Sequence, residues 1–134
     1  MVRTGAKVAA AEGDGRLREI VIASGGGEVS ERLAADALFI CIGGIPRNEA
    51  ARRLGMACDG GGYLMTGADL ISAPELLGGW PLQRQPLPLE TNLPGLFAAG
   101  DVRHGSVKRC SAAIGEGAMA VALVHRRLAE AGSG

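Results

Sequence analysis

Asp101 is the carboxylate whose surroundings point most directly to chemistry. It follows a four-residue apolar run, LFAA at 96–99, which has the form of a short buried strand, and Gly100 ends that run. A near-continuous apolar helical segment then starts around 106–109 and runs to about residue 128. A carboxylate at a strand end accepts hydrogen bonds from sugar-like hydroxyls. The open backbone N–H groups of a helix start receive partial negative charge. The pair suits a ligand with hydroxyls at one end and an electron-rich group at the other. The same residues also suit a plain turn followed by a core helix, and spacing alone does not separate the two.

The wider motif carries a family resemblance. Thr91, four residues, then Leu96-Phe97-Ala98-Ala99-Gly100-Asp101 resembles the second flavin-binding motif of the pyridine nucleotide-disulfide oxidoreductases, TxxxxhyhhGD. The continuation VKRCSAAIGEGAMAV, at 107–121, resembles the C-terminal flavin-contacting helix of thioredoxin reductases. The likeness runs from about 35 to 128 and is most specific at 91–117.

That resemblance implies an α/β fold, the C-terminal part of a two-dinucleotide-domain (FAD/NAD(P)) flavoprotein. It implies β-hairpin or meander strands and one long buried C-terminal helix. Residues 1–43 would be the β-rich end of the NAD(P)H-binding domain, and 44–134 the C-terminal part of the FAD-binding domain. Asp101 would accept hydrogen bonds from the ribityl chain of FAD, with Gly100 leaving room for it. Lys108, Arg109, Cys110 and Ser111 would bring the helix start to the pyrimidine edge of the isoalloxazine. The implied activity is that of an FAD-dependent NAD(P)H oxidoreductase resembling thioredoxin-disulfide reductase. No residue of this chain is assigned to catalysis.

Cys110 departs from the family, whose members read Val or Gln there. A helix N-terminus and Arg109 both lower a thiol pKa, yet cysteine is also a small buried filler. Other departures are absences. The first GxGxxG, the nicotinamide glycine motif and CxxC do not occur, and all would precede Val2 in a full-length relative. The expectation is the tail of a larger flavoenzyme, inactive by itself. Its implied partners are the remainder of that enzyme, in the same or a separate chain, and a thioredoxin-like disulfide substrate. Homodimerisation is common among relatives. An alternative is a non-catalytic, assembly-dependent chain that completes a flavin domain with a separate polypeptide. A third reading is a small binding domain with no flavin role.

Composition agrees with a neutral soluble class. Fourteen basic residues balance 14 acidic ones, without a basic run that would suit nucleic acid or an anionic membrane. The apolar stretch 112–124 contains Glu116 and is too short to span a bilayer. Residues 1–11 lack the apolar core of a secretory signal, so the expected location is cytoplasmic. Cys41, Cys58 and Cys110 are scattered and odd in number, which predicts neither a disulfide framework nor a metal site. Glycine, 22 of 134 residues, is well above the usual share of roughly 7%. With one Trp, one Tyr and two Phe, a core must use small apolar residues packed closely or against another surface.

Several elements must position the motif. Residues 2–11 and 16–23 read as hairpin strands about a turn at 12–15, and 28–33 as a third strand after the turn at 24–27. The glycine run at 25–27 is a hairpin turn and not a phosphate loop, since no helical period follows it. The run ALFICI, at 37–42, predicts a buried strand, redirected at Gly43-Gly44 before Pro46. Residues 48–54 predict a helix with Asn48 as N-cap and Gly55 as stop. A short strand is expected at 63–66. Residues 68–88 hold four of the six prolines and read as a loop pinned by Trp80. Gly115 and Gly117 within the long helix imply a close approach by another surface or ligand. His125, Arg126 and Arg127 suit the negative end of that helix, and fraying is expected from residue 131.

Overall fold

In a computed structural model, residues 2–132 are described, and the chain divides into two compact units, Met1–Gly43 and Gly44–Gly134. The first unit is an antiparallel meander of β1 (Ala6–Gly13), β2 (Leu17–Ser24) and β3 (Val29–Ala34), in that spatial order. β-Branched Val21 and Ile22 on β2, with Ala23 beside them, are buried and supply its core. In the β1–β2 register Glu12 faces Glu19, a like-charge pair that disfavours pairing. Arg32 on β3 answers both, at 2.8 and 2.5 Å.

The run at 37–42 does not form the expected strand. Its backbone pairs with no described residue, and Phe39 and Ile42 are 87% and 89% exposed. The physical reason is simple: a strand needs a neighbour to take its N–H and C=O groups, and no described residue stands beside this one.

The second unit is irregular except at its end. A five-residue helix, α1 (Glu49–Arg53), starts after Asn48. Asn48 occupies the cap position without capping. Its buried amide donates instead to the Gly62 C=O, tying the helix start to the turn at 59–62. The expected strands at 63–66 and 96–99 shrink to isolated bridges, two at Leu64, with Cys58 and Arg103, and one between Phe97 and Glu90. The segment expected to be a loop contains α2 (Ala68–Ser72) and a 3-10 turn at Pro74–Leu77. Proline at the first position of that turn and a left-handed Gly78 at its end explain why it forms. Leu64, Leu70, Leu87, Leu89 and Ala98 make the core.

The last element is α3 (Cys110–Gly132), which starts slightly later than expected and continues past the predicted frayed end. Its length matches the expectation; its burial does not. No residue of α3 is buried. One face, through Ala113, Glu116, Ala120, Leu123 and Arg127, is half-buried or close to it. The opposite face leaves Ile114, Val121 and Leu128 at 73%, 60% and 62% exposure. A Cβ on Gly115 or Gly117 would meet open space, so the approach implied there has no counterpart among the described residues. None of the described helices is long and apolar enough to cross a membrane.

Candidate functional site around Gly100 and the start of α3

The approach to Gly100 is anchored by buried polar groups. The Thr91 N–H donates to the Leu96 C=O at 2.8 Å, and the Ala98 N–H to the Leu89 C=O at 2.9 Å. Glu90 is fully buried. Its carboxylate accepts two bonds from Arg84, at 2.6 and 3.0 Å, and the N–H groups of Leu87 and Gly95 at 2.7 and 2.9 Å. Burial alone would push this carboxyl up. The Arg84 guanidinium and the two N–H donors outweigh that and hold it below the usual carboxylate range. Arg84 also carries Trp80, whose Nε1 donates to the Arg84 C=O at 2.6 Å while its ring lies 5.8 Å under the guanidinium. Both Trp80 contacts lie inside the 78–88 segment, and the tie from that segment to Glu130 on α3 is made by Arg84.

Gly100 opens a 3-10 turn, Gly100–Val102, with φ at +77°, a conformation that favours glycine. A Cβ at this position would lie 3.3 Å from that of Ala113, so the space beside Gly100 is taken by α3. The turn is fastened to that helix. The Gly100 N–H donates to Glu116 Oε2 at 2.6 Å, and Arg103 grips the same carboxylate through Nη2 at 2.6 Å and Nε at 3.2 Å. The Arg103 guanidinium, and with it the Gly100 N–H, holds the Glu116 carboxyl below its ordinary value.

Lys108 approaches from the other side. Its ammonium donates to the Asp101 C=O at 2.8 Å, to the Arg103 C=O at 3.3 Å and to Ser106 Oγ, and it lies 4.2 Å from the Tyr63 ring centroid. Lys108 thus braces the turn. The Asp101 carboxylate is exposed and has no hydrogen bond or ion pair with a described residue. The Arg109 guanidinium is exposed and donates to the Lys108 C=O at 2.9 Å. Cys110 and Ser111 open α3, and both are exposed, so Cys110 is not a buried filler. The first helical bond runs from the Ala113 N–H to the Arg109 C=O at 3.1 Å. The N–H groups of Cys110, Ser111 and Ala112 precede it and have no acceptor within the helix.

The structure thus joins Gly100, Asp101 and Lys108 through direct contacts, with Arg109, Cys110 and Ser111 next along the chain at the helix start. Residues not singled out in the sequence do much of the holding: Arg84, Glu90, Arg103 and Glu116. Glu116 carried a signal, since it is the sole acid of the apolar stretch 112–124. The others did not. A further pair sits nearby: His104 Nδ1 lies 2.7 Å from Asp59 Oδ2, and Asp59 Oδ1 accepts the N–H groups of Gly61 and Tyr63. The His104 contact holds the Asp59 carboxyl below its usual range.

This order of elements, an antiparallel meander, a Gly-Asp turn and a long helix after it, recurs in solved structures. A thioredoxin reductase from Streptococcus pyogenes superposes on 93% of this chain with a TM-score of 0.64 at 24% identity, using 35% of its own length. The family model for pyridine nucleotide-disulphide oxidoreductases matches residues 1–117, and the chain belongs to that family. Among curated relatives, the ferredoxin reductase component of chlorobenzene dioxygenase from Cupriavidus sp. is 35% identical over 86 residues, 61% of this chain and 20% of that protein. Thioredoxin reductase of Listeria monocytogenes is 33% identical over 88 residues, 66% of this chain and 21% of that protein. The chain therefore spans about a fifth of the length of the curated relatives it matches.

Proposed function

We propose that this chain is the C-terminal portion of an FAD-dependent NAD(P)H oxidoreductase of the thioredoxin reductase type. Gly100 and Asp101 with residues 108–111 would hold the ribityl and pyrimidine ends of FAD. One observation carries the reading: the Asp101 carboxylate is left free on a turn whose backbone is held by Glu116, Arg103 and Lys108. A free, fixed carboxylate fits a polyhydroxyl chain, and the open N–H groups at Cys110 and Ser111 fit an electron-rich ring edge. Lys108 serves as the brace of the turn, because its ammonium is already spent on carbonyls. Gly100 serves the packing of α3.

When bound, FAD supplies the hydride chemistry. This chain's residues bind and orient it, and the partial positive charge at the start of α3 favours its electron-rich form. The unit Met1–Gly43 would be the last strands of the nicotinamide domain. A thioredoxin-like disulfide is the proposed acceptor, reached through parts of the enzyme outside this chain, in a cytoplasmic and dimeric protein. The outer face of α3 leaves apolar surface for the remainder of the flavin domain, whether that lies in the same chain or, in the assembly reading, in a separate polypeptide.

Supplying the chain in trans to a thioredoxin reductase-type polypeptide that lacks the matching C-terminal third tests the proposal. Retention of FAD through gel filtration is the expected result, with no NADPH oxidation by the chain alone. Absence of retained flavin, or turnover by the isolated chain, contradicts it.

A further inference from the structure

An exposed carboxylate has only its backbone to aim it. For Asp101 that backbone is held at three points: the Gly100 N–H by Glu116 at 2.6 Å, the Gly100 C=O by the Arg103 N–H at 3.1 Å, and the Asp101 C=O by Lys108 at 2.8 Å. The first point differs from the others because it comes from α3 itself. Glu116 lies three residues beyond Ala113, whose Cβ borders Gly100, so both sit on one helical face. From Cys110 to Glu116 the helix rises about 9 Å. One rigid element therefore carries the open N-terminus and the clamp on the Gly-Asp turn, and it sets the spacing between the two.

Charge sets a second requirement. An acid on a half-buried helix face costs desolvation, which packing does not require. Here the cost is offset by Arg103, which meets both oxygens and leaves Glu116 able to accept the Gly100 N–H. Arg103 also keeps a second negative charge from acting on an electron-rich ligand beside Asp101.

We propose that Glu116, paired with Arg103, is a positioning residue for Asp101, holding its carboxylate at a fixed distance from the start of α3. The inference rests on the reading of Asp101 as the ribityl acceptor. It goes further in assigning the pre-organisation of that contact to a residue 15 positions along the chain. Pre-organisation of this kind raises affinity by removing the ordering cost at binding.

The first arm of the test needs no flavin. Amide hydrogen exchange in the 134-residue chain should show the Gly100 N–H exchanging about 10- to 100-fold faster in Glu116→Ala, as expected for loss of a charge-assisted bond. Glu116→Gln keeps an acceptor and should restore most of the protection. Arg103→Lys, which retains charge but loses the two-pronged grip, should fall between. Unchanged Gly100 exchange in Glu116→Ala overturns the proposal whatever Asp101 does.

The second arm measures FAD affinity in the reconstituted protein for Asp101→Ala, Glu116→Ala and the double variant. If Glu116 acts through Asp101, the double variant loses no more than Asp101→Ala alone. Additive losses, or no loss from Glu116→Ala where Asp101→Ala weakens binding, overturn the positioning role and leave the flavin reading standing. No loss from Asp101→Ala removes the flavin reading itself.

Discussion

Arg84 meets the fully buried carboxylate of Glu90 at 2.6 and 3.0 Å and extends to Glu130 on α3 at 2.8 Å. Through this one guanidinium the 84–90 segment is tied to the last helix. Removing one partner of a buried pair leaves the other charge uncompensated, at a cost of about 3–5 kcal/mol. We expect Arg84→Ala to lower the stability of the second unit toward that range, read by urea denaturation. A change below about 1 kcal/mol, the level of an exposed ion pair, contradicts this account.

Acid should weaken the same unit. Asp59, held by His104, and Glu116, held by Arg103, have depressed folded-state values. Glu90 joins them, with Arg84 and two N–H donors overcoming the upward push of burial. Each group takes up its proton more readily unfolded than folded, so stability rises with pH through this range. The contribution is complete above the ordinary glutamate value of 4.5 and is lost as pH falls through the lower folded values. Urea midpoints should hold level down to that pH and then drop, with a shallower drop in Glu90→Gln. A midpoint that rises in acid contradicts the sign.

Gly100 carries both a left-handed backbone and a close neighbour. An L-residue there costs about 1–2 kcal/mol from conformation alone, and the 3.3 Å approach to Ala113 adds to it. We expect Gly100→Ala to destabilise by about 2 kcal/mol in thermal unfolding, only partly relieved by Ala113→Gly because the backbone strain persists. Full relief by the second substitution would show that crowding, not conformation, dominates.

The exposed run Phe39, Ile40 and Ile42 should make the isolated chain self-associate. Sedimentation should show mass rising with concentration, and Phe39→Lys with Ile42→Lys should return the chain to a monomer. A wild-type chain that stays monomeric and binds no hydrophobic dye contradicts this.

Legibility followed the range of the interactions. The three strands of the meander could be read because alternation and glycine turns act within a hairpin. The long helix could be read from its continuous apolar period. The strands expected at 37–42, 63–66 and 96–99 could not be judged from their own residues, since a strand exists only beside a neighbour. Burial of α3 failed for a related reason: the apolar character of Ile114, Val121 and Leu128 says that a face prefers cover, not that cover is present. At the site, Asp101 and the helix start were legible as a local motif. Glu90 and Arg103 were not, because single ionic residues that find partners 6 to 13 positions away leave no spacing pattern; Glu116 showed only as the lone acid of an apolar stretch. Asn48 shows the reverse case: a good capping residue whose side chain was taken by a tertiary contact with Gly62.

The central claim is that Asp101 holds a flavin, and the dissociation constant of FAD from the reconstituted protein tests it most directly. Hydrogen bonds to a charged group are worth about 1.5–3 kcal/mol, so Asp101→Ala should weaken FAD binding by about 10- to 100-fold. The fold, checked by circular dichroism, should be unchanged, because the carboxylate makes no hydrogen bond or ion pair with a described residue. Equal FAD affinity in the wild-type and Asp101→Ala proteins would contradict the account.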